Sequence, residues 1–254
     1  MSLKICAACG CNMGKIRANN EDNFYFNGDI LPADNRALST VLTAERPLEN
    51  DFCAAVFDGM GGEQFGELAA YAAARQMKDR LAAGAWKELE PEKRLETLTI
   101  DLNAAVLAKA RELLTRHMGA TLAGLLFHDG RAWAFNLGDS RIYLERGGAL
   151  HRLSVDHVDS RPLFSGKGKG SLSQYLGIDE EEFVVEPSIG SVEARAGDRF
   201  LICSDGLTDM LGEDEILAVL IGARSAEAAV EKLIAQALDH GGRDNVTVIV
   251  CAVR

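Results

Sequence analysis

Residues 120–153 read ATLAGLLFHDGRAWAFNLGDSRIYLERGGALHRL. Two apolar-rich runs, 120–128 and 131–137, flank Asp129-Gly130, and an Asp-Gly pair between such runs is a strong hairpin signal. Residues 141–145 and 150–153 flank Arg146-Gly147-Gly148 in the same way. Strands joined by turns this short are antiparallel, because a parallel crossover needs a dozen or more residues. These hairpins disfavour a doubly wound parallel sheet.

Further out, apolar or alternating runs at 4–9, 23–27, 52–57, 183–189, 199–203 and 246–253 read as strands. Helical spacing appears in two blocks. Residues 63–83 and 91–117 make the first, with Leu95, Leu98, Leu102, Val106, Ala110 and Leu113 recurring at three- or four-residue steps. Residues 214–221 and 226–239 make the second. Helix pairs packed on antiparallel sheets place the chain in the α+β class. No internal repeat and no long linker interrupts it, so residues 1–254 are expected to form a single domain.

The chain has 254 residues, 38 acidic and 27 basic, for a net charge of −11. An apolar fraction of 47% excludes disorder throughout. The acidic balance argues against nucleic acid or anionic membrane as partners, since both require a basic face. No apolar run approaches the roughly 18–20 residues of a membrane helix. Residues 1–14 lack the apolar segment of a signal peptide, and a cytoplasmic location is expected. Cys6, Cys9 and Cys11 cluster, but no second Cys/His pair completes a zinc spacing. Reduced, mostly buried structural thiols are expected.

Carboxylates recur where apolar strands end. Residues 52–57 run into Asp58-Gly59-Met60-Gly61-Gly62, residues 132–135 into Asn136-Leu-Gly-Asp139-Ser140-Arg141, and residues 200–203 into Ser204-Asp205-Gly206. Asp244-Asn245 opens the last strand, and Arg17-Ala-Asn-Asn-Glu21-Asp22 precedes an early one. Each alone fits a plain turn. Five such corners beside strands of one sandwich can instead converge. Converging carboxylates repel and need neutralising cations. A ligand set without His or Cys favours Mg²⁺ or Mn²⁺ over zinc. The glycine after Asp58 would leave a turn uncrowded, so that a backbone carbonyl reaches the metal.

The motifs Gly14-x-x-Arg17-x-x-Asn20-Glu21-Asp22, Val56-Phe-Asp58-Gly-Met-Gly-Gly62, Gly119-Ala-Thr121, Asn136-Leu-Gly-Asp139-Ser-Arg141, Ser204-Asp205-Gly206 and Asp244-Asn245 occur in that order. In this the chain resembles bacterial-type members of the PPM family, the metal-dependent type 2C Ser/Thr protein phosphatases, from about residue 4 to 254. The resemblance implies a four-layer αββα sandwich, two antiparallel sheets flanked by helix pairs. It implies hydrolysis of phosphoserine and phosphothreonine in proteins by a water bridging two Mn²⁺ or Mg²⁺ ions. Asp58 would bridge the two metals, with the Gly59 carbonyl on one of them and Asp205 and Asp244 completing the other. Glu21 and Asp22 would bind metal or its waters. Asp139, with Asp205, would hold a third, weaker metal. Arg17 would bind the substrate phosphate, and Gly119 and Thr121 would support the site. The implied partners are phosphorylated proteins, among them a bacterial Ser/Thr kinase in a signalling role, with the phosphatase itself a monomer. A catalytically dead member acting as a binding or regulatory module and a phosphatase of small phosphate esters are the competing readings.

Three departures from the family pattern stand out. Asn12 replaces an Asp before Gly14, keeping a hydrogen-bond acceptor without the charge. Met60 stands where many eukaryotic members carry a His assigned as general acid, so the leaving group would take its proton from a metal-bound water or the third-metal site. The flap segment, 156–176, is short and rich in Gly and Lys at 160–171. Residues 165–171 match no phosphate-loop pattern and read as a surface loop. Lys167 and Lys169 are expected to attract the phosphate-bearing segment. Six of the 38 acidic residues (Glu21, Asp22, Asp58, Asp139, Asp205, Asp244) are thereby assigned to one cleft, leaving 32 against 27 basic ones.

Overall fold

The computed structural model describes residues 3–60, 65–84, 88–115, 117–159, 171–179 and 184–254. Its elements in chain order are β1 (Lys4–Asn12), β2 (Asp22–Phe26), β3 (Leu42–Pro47), β4 (Phe52–Met60), α1 (Gly66–Ala83), α2 (Pro91–Glu112), β5 (Gly119–Ala120), β6 (Leu122–His128), β7 (Arg131–Leu137), β8 (Arg141–Arg146), β9 (Ala149–Arg152), β10 (Ser188–Glu193), β11 (Arg199–Cys203), α3 (Asp205–Thr208), α4 (Glu213–Gly222), α5 (Ala226–Asp239) and β12 (Val246–Val253). One sheet has the order β3-β1-β12-β11-β8-β9. The other runs β10-β7-β6-β4-β2, with β5 pairing β4. Every pairing is antiparallel.

The period-2 alternation of side chains sorts the core into layers. On β12, Ile249, Cys251 and Val253 face the opposite sheet, while Val246, Val248 and Val250 face the helices. Buried on both faces, the strand is apolar almost throughout. Phe127 of β6 meets Phe200 of β11 edge-on at 5.2 Å, stitching sheet to sheet. Leu95, Leu98, Leu102 and Val106 of α2 pack with α1 on the β4–β6–β7 side. Leu233 and Val230 of α5 and Ile216 of α4 cover the other sheet. The result is the expected αββα sandwich.

Helix ends follow local chemistry. Ser225 caps α5 by accepting from Ala228 N–H at 3.1 Å. At the start of α4, Glu215 reaches back to the Gly212 N–H at 3.0 Å. The α2 helix stops at Glu112, short of the expected 117. Leu114 takes a left-handed φ of 55°, and Thr115 N–H closes on Ala110 O at 3.0 Å. No Gly or Pro marks that stop.

Two strands correct the sequence expectations. The strand expected at 183–189 lies at Ser188–Glu193, paired with β7. Val184 is exposed, so its β-propensity is not realised in a sheet. The edge strand β3 was not expected, because LTAERP is mostly polar and faces solvent. The cysteines are all free and buried or half-buried, as expected of structural thiols.

Candidate metal centre

Alternation also aims the acidic residues. On β4, Ala54 and Val56 face the gap between the sheets, and Asp58 continues that phase to the end of the sandwich. Asp22 sits opposite Asp58 in the β2–β4 register and continues the phase of Phe24 and Phe26. Ser204 and Thr247 lie in the same phase as Ile202 and Ile249. These positions gather at one end of the inter-sheet core.

A cavity of about 530 Å³ opens there. Glu21, Asp58, Gly59, Asp139, Asp205, Asp244 and Arg17 all line it, with Thr121, Met60, Ile16 and Leu172. Seven of the eight residues expected at the site therefore share one space. Asp22 is buried behind the wall, where Ser204 Oγ and Thr247 Oγ1 each donate to its Oδ2 at 2.7 Å. Lys167 and Lys169 lie outside the described residues, as do Gly61 and Gly62.

Gly59 is required for a different reason from the one expected. Residues 58–60 remain in β4, paired with β2 and β5, and form no turn. A Cβ on Gly59 would stand 2.0 Å from Gly66 O and 2.7 Å from Glu21 O. Glycine is needed because the first turn of α1 passes directly over it. Glu21 packs against that same turn, beside Gly66. Burial raises its pKa, opposed by a hydrogen bond from Asn19.

Hydroxyls and amides hold the corners in place. Thr121 N–H donates to Asp58 O at 2.8 Å, and Thr121 Oγ1 accepts from Asp58 N–H at 3.1 Å. The same hydroxyl meets Ser140 Oγ at 2.7 Å, coupling Asp58 to the Asp139 corner. Gly119 is fixed by space, since a Cβ there would reach 2.7 Å from the Tyr175 ring. Asn12 Oδ1 accepts from Gly14 N–H at 2.9 Å, so the neutral replacement keeps the turn. Asn245, quoted in a motif but given no role, ties three segments together. Its Oδ1 accepts from Glu21 N–H at 2.8 Å, and its Nδ2 donates to Met13 O and Asn19 O at 2.8 and 2.9 Å. Ser204 and Thr247 were also missed. The signal for Thr247 is a lone polar residue in an otherwise apolar buried strand.

The electrostatics call for a cation. Burial pushes the Asp58 carboxyl well above its ordinary range, and the charges of Asp205, Asp22, Asp244 and Asp139 push it the same way. Asp22 is raised to about 7, by burial first and by Asp205 and Asp244, against its two hydroxyl donors. Arg17 supplies positive charge, its Nη2 lying 2.6 Å from Asp244 Oδ2. As the side chains stand, no three His, Cys, Asp or Glu among the described residues are gathered tightly enough to hold one ion; Asp244 is turned to Arg17. The donor set nonetheless fits a hard divalent cation, being oxygen only, multiply anionic and half-open to water.

Residues 42–241 match the model of the protein phosphatase 2C family. The whole chain is 31% identical to the serine/threonine protein phosphatase PstP of Mycobacterium tuberculosis and spans 46% of that protein's length. Over 93% of the chain it is 29% identical to the serine/threonine phosphatase stp of Listeria monocytogenes, covering 91% of it. A crystal structure of the catalytic domain of PstP in complex with two manganese ions superposes with a TM-score of 0.72 at 31% identity, covering 99% of each chain. The chain belongs to the protein phosphatase 2C family.

Proposed function

We propose that this chain, as one catalytic domain, hydrolyses phosphoserine and phosphothreonine in proteins with Mn²⁺ or Mg²⁺ bound in the acidic cavity. The observation that carries the reading is the convergence of Asp58, Asp139, Asp205 and Asp244 with Arg17 on one cavity at the end of a two-sheet sandwich. The two manganese ions in the related PstP domain support it.

Asp58, the Gly59 carbonyl, Asp205 and Asp244 would hold two ions, Asp139 with Asp205 a third, and Glu21 would bind ions or their waters, while Asp22 adds negative charge from behind the wall. When bound, such ions supply Lewis acidity, which offsets the charge of the phosphate and lowers the pKa of a water molecule towards neutrality. Arg17 offers a planar fork of donors to phosphate oxygens and leaves Asp244 to do so. Thr121 and Asn245 keep Asp58 and the Arg17 loop in register, so the change asked of the site is movement of the Arg17 and Asp244 side chains rather than of the backbone. Met60 has no proton to give, so the proton for the leaving alkoxide would have to come from water held in the cavity.

No helix among the described residues is long and apolar enough to cross a membrane. The substrates we propose are phosphorylated proteins, among them a Ser/Thr kinase and its targets, met in the cytoplasm by a monomer. Hydrolysis of p-nitrophenyl phosphate with Mn²⁺, abolished by EDTA and by Asp58→Asn, tests the reading. Absence of turnover with either Mn²⁺ or Mg²⁺ would sink it.

A further inference from the structure

The mouth of the acidic cavity carries hydrocarbon. Ile16, immediately before Arg17, lines the cavity yet keeps 71% of its surface exposed. Leu172 lines it from the flap segment and is bridged to Val158. Asp159 N–H donates to Ser171 O at 2.8 Å and Ser173 N–H to His157 O at 2.9 Å, one on each side of that bridge. This hydrogen-bond frame makes Val158 and Leu172 a non-hydrogen-bonded antiparallel pair, the arrangement in which opposed side chains stand closest and on one face. Val158 is 40% exposed, so the pair presents an apolar strip that continues outward from the cavity.

The strip is anchored. His157 Nδ1 accepts from Gly138 N–H at 3.1 Å, and its Nε2 bonds Ser188 Oγ at 3.0 Å. His157 N–H also donates to Gly138 O at 3.0 Å. The base of the Leu172 wall is thus fixed to the corner that carries Asp139 and to β10.

Scattered exposed apolar residues are ordinary on protein surfaces. Here they gather at the rim of a cavity whose floor is carboxylate. Resting on the reading of the cavity as a phosphoprotein phosphatase site, we propose that Ile16 and the Leu172–Val158 pair recognise an apolar side chain directly flanking the phosphorylated residue of the substrate protein. A phosphate on Arg17 puts its neighbours along the peptide about 3.8 Å away per residue, within reach of the side chain next to Arg17. With the carboxylate floor matched by Arg17 and bound cations, a charged neighbour of either sign would gain no partner there and would meet hydrocarbon at the rim.

The test compares kcat/KM, with Mn²⁺, for two phosphothreonine peptides that differ only in having leucine or serine on both sides of the phosphothreonine, with p-nitrophenyl phosphate alongside. The expected result is about a tenfold preference for the leucine peptide, expressed in KM, the order gained by burying a few methylenes. Ile16→Ser and Leu172→Ser should each reduce that ratio to about twofold. A ratio within one protein sample is insensitive to how much of it is folded. Equal kcat/KM on the two peptides, or an unchanged ratio in both variants, overturns the proposal and leaves the phosphatase reading intact. Turnover of p-nitrophenyl phosphate alone, or of nothing, overturns the reading on which the proposal rests.

Discussion

Arg17 and Asp244 stand 227 positions apart in the chain, and Arg17 Nη2 donates to Asp244 Oδ2 at 2.6 Å. The pair joins the loop after β1 to the turn before β12, two strands that are neighbours in one sheet. Only one of the guanidinium's five donors is engaged there, so leaving Asp244 for phosphate costs Arg17 a single hydrogen bond. Replacing Arg17 with Ala should lower kcat/KM on a phosphopeptide roughly ten- to hundredfold, the size of about 1.5–3 kcal/mol of charge-assisted hydrogen bonding. The pair is partly exposed, so stability to urea should change by less than about 1 kcal/mol. Steady-state kinetics and a denaturation curve on the same variant check both halves.

Asn245 should matter for stability as well as for activity. Truncation to Ala leaves Met13 O, Asn19 O and Glu21 N–H without their partner in a half-buried setting. A loss of about 1–2 kcal/mol is expected, measured by urea denaturation.

Glycines separate crowding from composition. In Gly59→Ala the new methyl meets backbone at 2.0 Å, and in Gly206→Ala at 1.9 Å from Asn245 O. Each should destabilise by about 1–3 kcal/mol and reduce turnover, because the backbone carrying the site must move. Gly190→Ala in β10 meets nothing within 4 Å and should be near neutral. Thermal melts of the three variants side by side decide the matter.

Burial lowers the pKa of His157 from its ordinary 6.5, with the Asp156 charge opposing. Its Nδ1 accepts from the Gly138 N–H, so a proton there would face another proton. Between the depressed folded value and the unfolded one, the unfolded chain binds more protons. Stability is therefore present above about pH 6.5 and lost as pH falls towards the folded value. The raised carboxyls of Asp22 and Asp58 act in the opposite direction over the same range. The His157 contribution is therefore read as the difference in urea stability between wild type and His157→Gln, which should shrink as pH falls below about 6.5.

Much of this architecture is legible in the sequence. The Asp129-Gly130 and Arg146-Gly147-Gly148 hairpins set the antiparallel meander, and buried strands such as β12 announce themselves by composition. The edges were less legible. The β3 strand is polar because it faces water, and the α2 stop at Leu114 uses a left-handed non-glycine residue that leaves no mark in the sequence. Within the site, carboxylates betray themselves by standing at strand ends. Ser204 and Asn245 do not, and Thr247 does so only as a lone polar residue in an apolar strand, because their role lies in contacts with residues 182, 225 and 224 positions away. Gly59 shows the limit well. The residue was singled out, but the approach of α1 that requires it is a tertiary fact.

If the carboxylates around Asp58 form a divalent-cation centre, calorimetric titration of the metal-free protein with Mn²⁺ should show saturable binding of two ions per chain, with at least one lost in Asp58→Asn and in Asp205→Asn. An absence of saturable binding in the wild-type protein, or binding unaltered by both substitutions, would contradict it.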